Sequence, residues 1–167
     1  MRLPALALIL LAAASPARAG EVVFDPAPLA ACRAEHGRAD PCIGAGYTPC
    51  MEATPFGASN QGMTRCMAAE LDWWEALLAR LLDDLREAEA AFDAAPPEPW
   101  PDLPSALDAL EQTQALWEAW VEARCNYTTI EFLGGTMRGT IWVGCRLELT
   151  AGQADFLARR LSAHSNR

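Results

Sequence analysis

The chain has 167 residues, with 13 basic side chains against 22 acidic ones and a net charge of −9 at pH 7. Every fixed cation is an arginine. Such an acidic surface repels nucleic acid, so the composition argues against DNA or RNA binding. The same charge would steer the protein toward a basic partner, although it also serves solubility alone.

The N-terminal segment has the pattern of an export signal. Arg2 precedes an apolar run over 3–14, and the Ala-Arg-Ala sequence at 17–19 fits a cleavage site. The run is shorter than the roughly 20 residues that a membrane span needs. We therefore expect residues 1–19 to be a removable signal peptide. Residues 20–167 should form one periplasmic or secreted domain, with no membrane insertion after cleavage.

Helical patterns dominate the first half of the domain. Short helices are expected over 28–36 and 40–52, and a long helix over 61–95. A proline-rich run at 96–101 ends the long helix. Its apolar positions recur three, four or seven residues apart: Met63, Met67, Trp74, Leu78, Leu81, Leu85, Ala88 and Phe92.

A second long helix is predicted from Pro104–Ser105 to about Cys125. Two helices of this length, joined by a short connector, should pack antiparallel and bury their tryptophans between them. The apolar face of the second helix carries Leu107, Leu110, Gln114, Trp117, Val121 and Cys125.

Beyond Asn126 the pattern allows two interpretations. β-branched residues around Gly134 and Gly135 could form a short hairpin, whereas a continued helix broken by a compact Gly-Gly-Thr loop is favoured. Thr150 is predicted to be the N-cap of a terminal helix through Leu161. The expected fold is all-α: an antiparallel helical bundle stapled by disulfides, with two long helices and short N-terminal ones.

Six cysteines follow the signal sequence. In an exported protein an even number of cysteines indicates disulfides, and six cysteines allow 15 connectivities. Spacing ranks the local pairs first, because each would close one loop, but it does not exclude the others. Each closure would contribute about 3 kcal/mol. The top-ranked pairs are Cys32–Cys42, Cys50–Cys66 and Cys125–Cys145.

Catalytic signatures are missing from the sequence. His36 and His164 are the only histidines, and His164 is expected at a frayed end. No nucleophile, phosphate-loop or zinc motif occurs, so we predict no enzyme, no metal and no cofactor. The pairs Glu70/Asp72 and Asp83/Asp84 are candidate glycosidase carboxylates, but acidic runs on a helix are usually its solvated face.

Aromatic residues also have two interpretations. The tryptophans on the long helices could line a sugar-binding groove, but at helical spacing they are more often core residues. They are Trp73, Trp74, Trp117 and Trp120.

Residues from the long helix onward resemble the LprI-like family of lysozyme inhibitors. The similarity covers roughly 42–161. On the first long helix it rests on Cys66, Glu70, Trp74, Glu75, Leu78 and Leu85. On the second it rests on Gln114, Trp117, Trp120, Glu122 and Cys125. Further along it rests on Gly134, Gly135, Thr136, Met137, Cys145, Leu149 and Thr150.

Three positions depart from the family pattern. Ala79 stands where family members usually have asparagine, while Val121 and Gln153 stand where arginines are expected. These changes remove polar groups from the helix faces and suggest divergence.

The resemblance implies an α-helical exported protein that inhibits lysozyme. Animal lysozymes of the c-type are basic enzymes with acidic catalytic clefts, which an acidic inhibitor would approach readily. The candidate for insertion into the cleft is the loop of Gly134, Gly135, Thr136, Met137 and Arg138. The alternatives are a periplasmic module that binds envelope components without inhibiting lysozyme and, least favoured, a cell-wall enzyme.

Overall fold

The computed structural model describes residues 21–95 and 103–165, and all its regular elements in those ranges are helical. The predicted signal peptide and the connector at 96–101 lie outside the described residues. Two 3-10 turns, Asp40–Cys42 and Ile130–Phe132, accompany the helices. The helices are α1 (Ala27–His36), α2 (Tyr47–Ala53), α3 (Asn60–Ala94), α4 (Ala106–Thr128) and α5 (Arg138–Ser165). The all-α prediction is confirmed.

Capping residues define where the long helices begin. Ser59 precedes α3 and its hydroxyl accepts the Gly62 N–H at 3.1 Å, while Ser105 caps α4 through the Asp108 N–H at 3.0 Å. Near the end of α3, Asp93 accepts the N–H of Ala106 at 2.8 Å. The end of α3 is thereby tied to the start of α4.

The three long helices form an up-down-up bundle. Contacts between Thr64 and Thr140 and between Glu89 and Arg160 show that α3 and α5 run parallel. They share the most extensive helix interface of the described chain. Helix α4 runs antiparallel to α3, as predicted. Small buried residues of α5, including Ala151, let α5 lie close to α3.

Two boundary predictions are wrong. Helix α5 begins at Arg138, so Thr150 is no N-cap: it lies in the middle of the helix and is 1 % exposed. The predicted helix over 40–52 is divided into the turn Asp40–Cys42 and α2, because Gly44 adopts a left-handed φ of 98° between them.

The segment after Asn126 follows the favoured interpretation. Helix α4 continues to Thr128, a 3-10 turn follows, and a compact loop leads into α5, so the hairpin alternative is wrong.

The four tryptophans do not share one buried site between α3 and α4, although Trp73 and Trp117 are partly buried against the core. Trp74 is fully buried, with the Arg33 guanidinium 5.3 Å from its ring centre, and its ring meets Trp73 edge-on at 5.0 Å. Trp120 is 48 % exposed and carries the Arg124 guanidinium at 5.0 Å. Their common burial was therefore predicted wrongly, since α5 occupies the face of α3 that α4 was expected to cover.

All three top-ranked disulfides are present. Cys32–Cys42 joins α1 to the first 3-10 turn, Cys50–Cys66 joins α2 to α3, and Cys125–Cys145 joins α4 to α5. Together they hold each N-terminal element and the last helix to a neighbour. Among the described helices, none combines the length and apolar character that a membrane crossing requires.

Candidate functional site

Glu70 is a buried anchor of the fold. Its carboxylate accepts N–H groups from Gly44 and Gly46 at 2.9 Å and from Tyr47 at 2.7 Å, and it also accepts the Trp74 indole N–H at 3.3 Å. Asp72 is exposed instead of facing this carboxylate. Glu70 therefore fixes the loop before α2 onto α3, and the Glu70/Asp72 pair is not assembled for glycoside chemistry.

The Asp83/Asp84 pair is no better placed. Both side chains are exposed on α3, and Asp83 forms an ion pair with Arg86 at 2.9 Å. Arg86 also binds Glu111 of α4 at 2.6 Å. These acids belong to a surface network between α3 and α4.

A second buried acid lies near the other end of α3. Glu89 is 2.7 Å from Arg160 and 3.0 Å from the His164 Nε2. Burial acts to raise the pKa of Glu89, but the contacts with Arg160 and His164 outweigh it and lower the pKa below its ordinary value. His164 is mostly buried in these contacts, so its predicted frayed position is wrong.

The Gly-Gly-Thr loop lies at the end of the bundle where α4 stops and α5 begins. Gly134 has a left-handed φ of 79°, and no atom blocks the space around it. Gly134, Gly135, Thr136 and Arg138 are exposed, and Met137 is half-buried. The Asn60 amide donates to the Thr136 hydroxyl at 2.7 Å, which ties this loop to the start of α3.

Exposed apolar side chains surround this loop, and we call them the apolar end. Phe56, in the loop before α3, is 88 % exposed and adopts a left-handed φ of 62° that is rare for such a residue. Contiguous exposed apolar patches are typical of interaction sites. Sequence reasoning missed them, although an aromatic residue within a Pro-Phe-Gly turn was a visible signal. The apolar end comprises Phe56, Tyr127, Ile130, Phe132 and Leu133.

A pocket of about 440 Å³ adjoins the loop. Arg138 lines it together with Thr64 and Trp142. The Trp142 indole N–H donates to the Asn126 side chain at 3.2 Å, which fixes the ring against α4. Arg138 thus combines exposure to solvent with a concave neighbourhood.

A second concavity, which we call the acidic cleft, lies between α3, α4 and α5. Its volume is about 400 Å³. Leu78, Leu82 and Val121 provide apolar walls. The polar and aromatic lining includes Glu75, Gln114, Trp117, Glu118, Glu122 and Arg146.

Hydrogen bonds hold the polar lining of the acidic cleft. Arg146 contacts Glu75 at 3.3 Å and Glu122 at 3.5 Å. Gln114 donates to Glu118 at 3.1 Å and accepts from Gln153 at 3.1 Å. The carboxylates of the cleft therefore outnumber its one arginine.

Residues that carry the family resemblance meet at the acidic cleft. Glu75, Gln114 and Trp117 line it, although they come from two helices. All three departures from the family pattern lie here as well. Ala79 and Val121 line the cleft, and Gln153 donates a hydrogen bond to Gln114, which also lines it.

The described ranges contain no cluster of side chains suited to a metal ion. Over residues 21–95 and 103–165, no group of three or more histidine, cysteine, aspartate or glutamate side chains is placed to hold an ion.

Comparisons with known proteins agree with these features. The chain is 28% identical over 136 residues to an uncharacterized 17.7 kDa protein in the puhA 5′ region of Rhodobacter capsulatus, a similarity that covers 70% of this chain and 80% of that protein. No solved structure matches the chain. The family described as lysozyme inhibitor LprI matches residues 50–157, which is more than half of the sequence and includes α3, α4 and most of α5. The chain therefore belongs to the lysozyme inhibitor LprI family.

Proposed function

We propose that the protein is an exported inhibitor of lysozyme that blocks the enzyme's substrate cleft with the apolar end and the Gly-Gly-Thr loop. The observation that carries the proposal is the combination, at one end of the bundle, of a disulfide-braced loop with exposed apolar side chains in a member of an inhibitor family. It is a binding role without catalysis by this chain.

Rigidity supports the proposal. Cys125–Cys145 joins the helices on both sides of the loop, and Cys50–Cys66 braces the segment that carries Phe56. The bond from Asn60 to Thr136 links the two segments. A surface that is ordered before binding loses less conformational entropy on association, so more of its contact energy appears as affinity.

Charge supports it as well. The acidic protein would be drawn to a basic lysozyme from a distance. At close range, the exposed Arg138 would meet the carboxylates of the enzyme's cleft. The acidic body and the arginine at the tip therefore suit different parts of the same partner.

Export supports it indirectly. Three disulfides link all six cysteines, as expected of a protein in an oxidising compartment. Together with the signal-like sequence at 1–19, they favour a periplasmic or secreted location, where the protein would meet a host or competitor lysozyme.

The decisive experiment is a muramidase assay in which oxidised residues 20–167 are titrated into c-type lysozyme at low and moderate salt. We expect saturable inhibition that weakens as salt rises, because screening reduces the electrostatic attraction. No inhibition at micromolar protein, with g-type and i-type lysozymes tested too, would overturn the proposal and leave the envelope-binding module.

A paired variant tests the loop. Arg138→Ala combined with Gly135→Asp should raise the inhibition constant, whereas Arg80→Ala, an exposed arginine on α3, should leave it unchanged. An unchanged constant for the double variant would remove the loop from the interface.

A further inference from the structure

We propose that the acidic cleft binds an arginine or lysine side chain of a basic protein partner. The cleft is separate from the loop that is proposed to enter the lysozyme cleft. This inference rests on the proposed function only for the partner's identity, since the chemistry of the cleft would suit any basic protein.

The first argument is shape and polarity. Leu78, Leu82 and Val121 form apolar walls, and Glu75, Glu118 and Glu122 provide carboxylates in the same concavity. Arginine and lysine have an apolar stem and a charged head, and they bury the stem while the head meets polar groups. The volume of about 400 Å³ accommodates such a side chain with part of its backbone.

The second argument is unbalanced charge. Arg146 contacts both Glu75 and Glu122, at 3.3 and 3.5 Å, so one guanidinium serves two carboxylates. Among the described side chains, the one hydrogen-bond donor to the Glu118 carboxylate is the neutral amide of Gln114. A second cation would therefore find an acidic group that no arginine of this chain neutralises in the described structure.

The third argument is an unsatisfied hydroxyl. Thr150 lines the cleft and is 1 % exposed, and its Oγ1 has no hydrogen-bond partner within the described residues. Buried polar atoms without a partner are rare and call for a ligand or a water. This oxygen is an acceptor at the cleft wall that the described chain leaves unused.

The uncharged lining residues point to the same place. Val121 and Ala79 both line the cleft, and neither carries a charge. Both side chains are small, so they leave the cleft open beside its carboxylates.

The test is an NMR titration of oxidised residues 20–167, following the indole N–H signal of Trp117. The probe is Nα-acetyl-arginine amide, and the neutral citrulline analogue is the ligand control. We expect saturable shifts with the arginine probe and none with citrulline. Glu118→Gln should weaken binding about tenfold or more. Glu87→Gln, an exposed acid elsewhere on α3, should bind as the parent protein does.

Val121→Arg supplies the cation from within and should abolish binding of the probe. The melting temperature of the Val121→Arg variant shows whether it still folds. If the new arginine disrupts packing, the Glu118→Gln variant still tests the proposal. Equal shifts with citrulline, or unchanged binding in both cleft variants, would overturn the proposal. If free putrescine bound more than about tenfold tighter than the arginine probe, the proposal that the bound cation belongs to a protein side chain would be overturned. The muramidase assay tests lysozyme inhibition independently of this titration.

Discussion

Arg33 and Asp155 form an ion pair at 2.7 Å although they lie 122 positions apart. Both side chains are largely buried, and Asp155 also accepts the Ala39 N–H at 2.5 Å. The guanidinium of Arg33 lies over the ring of Trp74. This cluster attaches α1, which precedes the residues matched by the family, to the last helix. The N-terminal segment is thus part of the bundle's structure.

Removing the Asp155 carboxylate should destabilise the protein. Asp155→Ala leaves Arg33 without its carboxylate and Ala39 N–H without its acceptor, so we expect a loss of about 2–3 kcal/mol in the free energy of unfolding. Urea unfolding followed by tryptophan fluorescence measures it. Glu35→Ala, an exposed acid on α1, should change stability by no more than about 0.5 kcal/mol. Equal effects of the two variants would contradict the anchoring role.

Glu70→Gln tests the buried carboxylate. An amide has only one oxygen to accept the three backbone N–H groups, and its NH2 group would face a donor, so we expect a loss of about 2–4 kcal/mol. The matched control is the exposed Asp72→Asn, which should be nearly neutral. A stability loss confined to the control would show that the assignment is wrong.

Opening the third disulfide should affect both stability and inhibition. Cys125→Ala with Cys145→Ala removes a bond that spans 20 positions, and about 3 kcal/mol should be lost on unfolding. Circular dichroism should still report a helical protein. The inhibition constant should rise because the loop loses its brace. An unaltered constant in the folded double variant would argue against preorganisation.

Asp93 gives a pH dependence with a defined sign. Hydrogen bonds from the N–H groups of Ala106 and Leu107 lower its pKa below the ordinary value of 3.8. Its contribution to stability is therefore present above the ordinary value and is lost as the pH falls through the lowered pKa. Asp93→Asn should be less stable than the parent protein near pH 7, and this difference should shrink near pH 3. A difference that grows toward acid would contradict the assignment.

Two substitutions of Phe56 distinguish backbone strain from a role of its ring in binding. Phe56→Gly relieves the left-handed backbone, so stability should stay level or rise by up to about 1 kcal/mol. Phe56→Ala keeps the backbone cost and removes only the exposed ring. Both variants should inhibit lysozyme less well if the apolar end forms the interface. Full inhibition by both would exclude the ring from it.

Some of this structure could be predicted from local pattern. The three-to-four-residue spacing on α3 identified part of its buried face: Trp74, Leu78 and Leu85 are buried, but the other predicted positions are only half-buried. Short separations identified the disulfides. Local pattern does not predict the start of α5, because Thr140, Ile141 and Val143 are poor helix formers and packing on α3 overrides their propensity. Glu75, Glu118 and Arg146 come from three helices, so no spacing in the sequence could reveal the acidic cleft.

The disulfide pattern also bears on how the protein acquires its bonds. Each cysteine is bonded to its immediate neighbour in the sequence of cysteines: the first to the second, the third to the fourth, the fifth to the sixth. A chain oxidised from its N-terminus as it emerges from a membrane channel would form every native bond simply in order of appearance. Such a protein should mature with an oxidase alone and have little need of a disulfide isomerase.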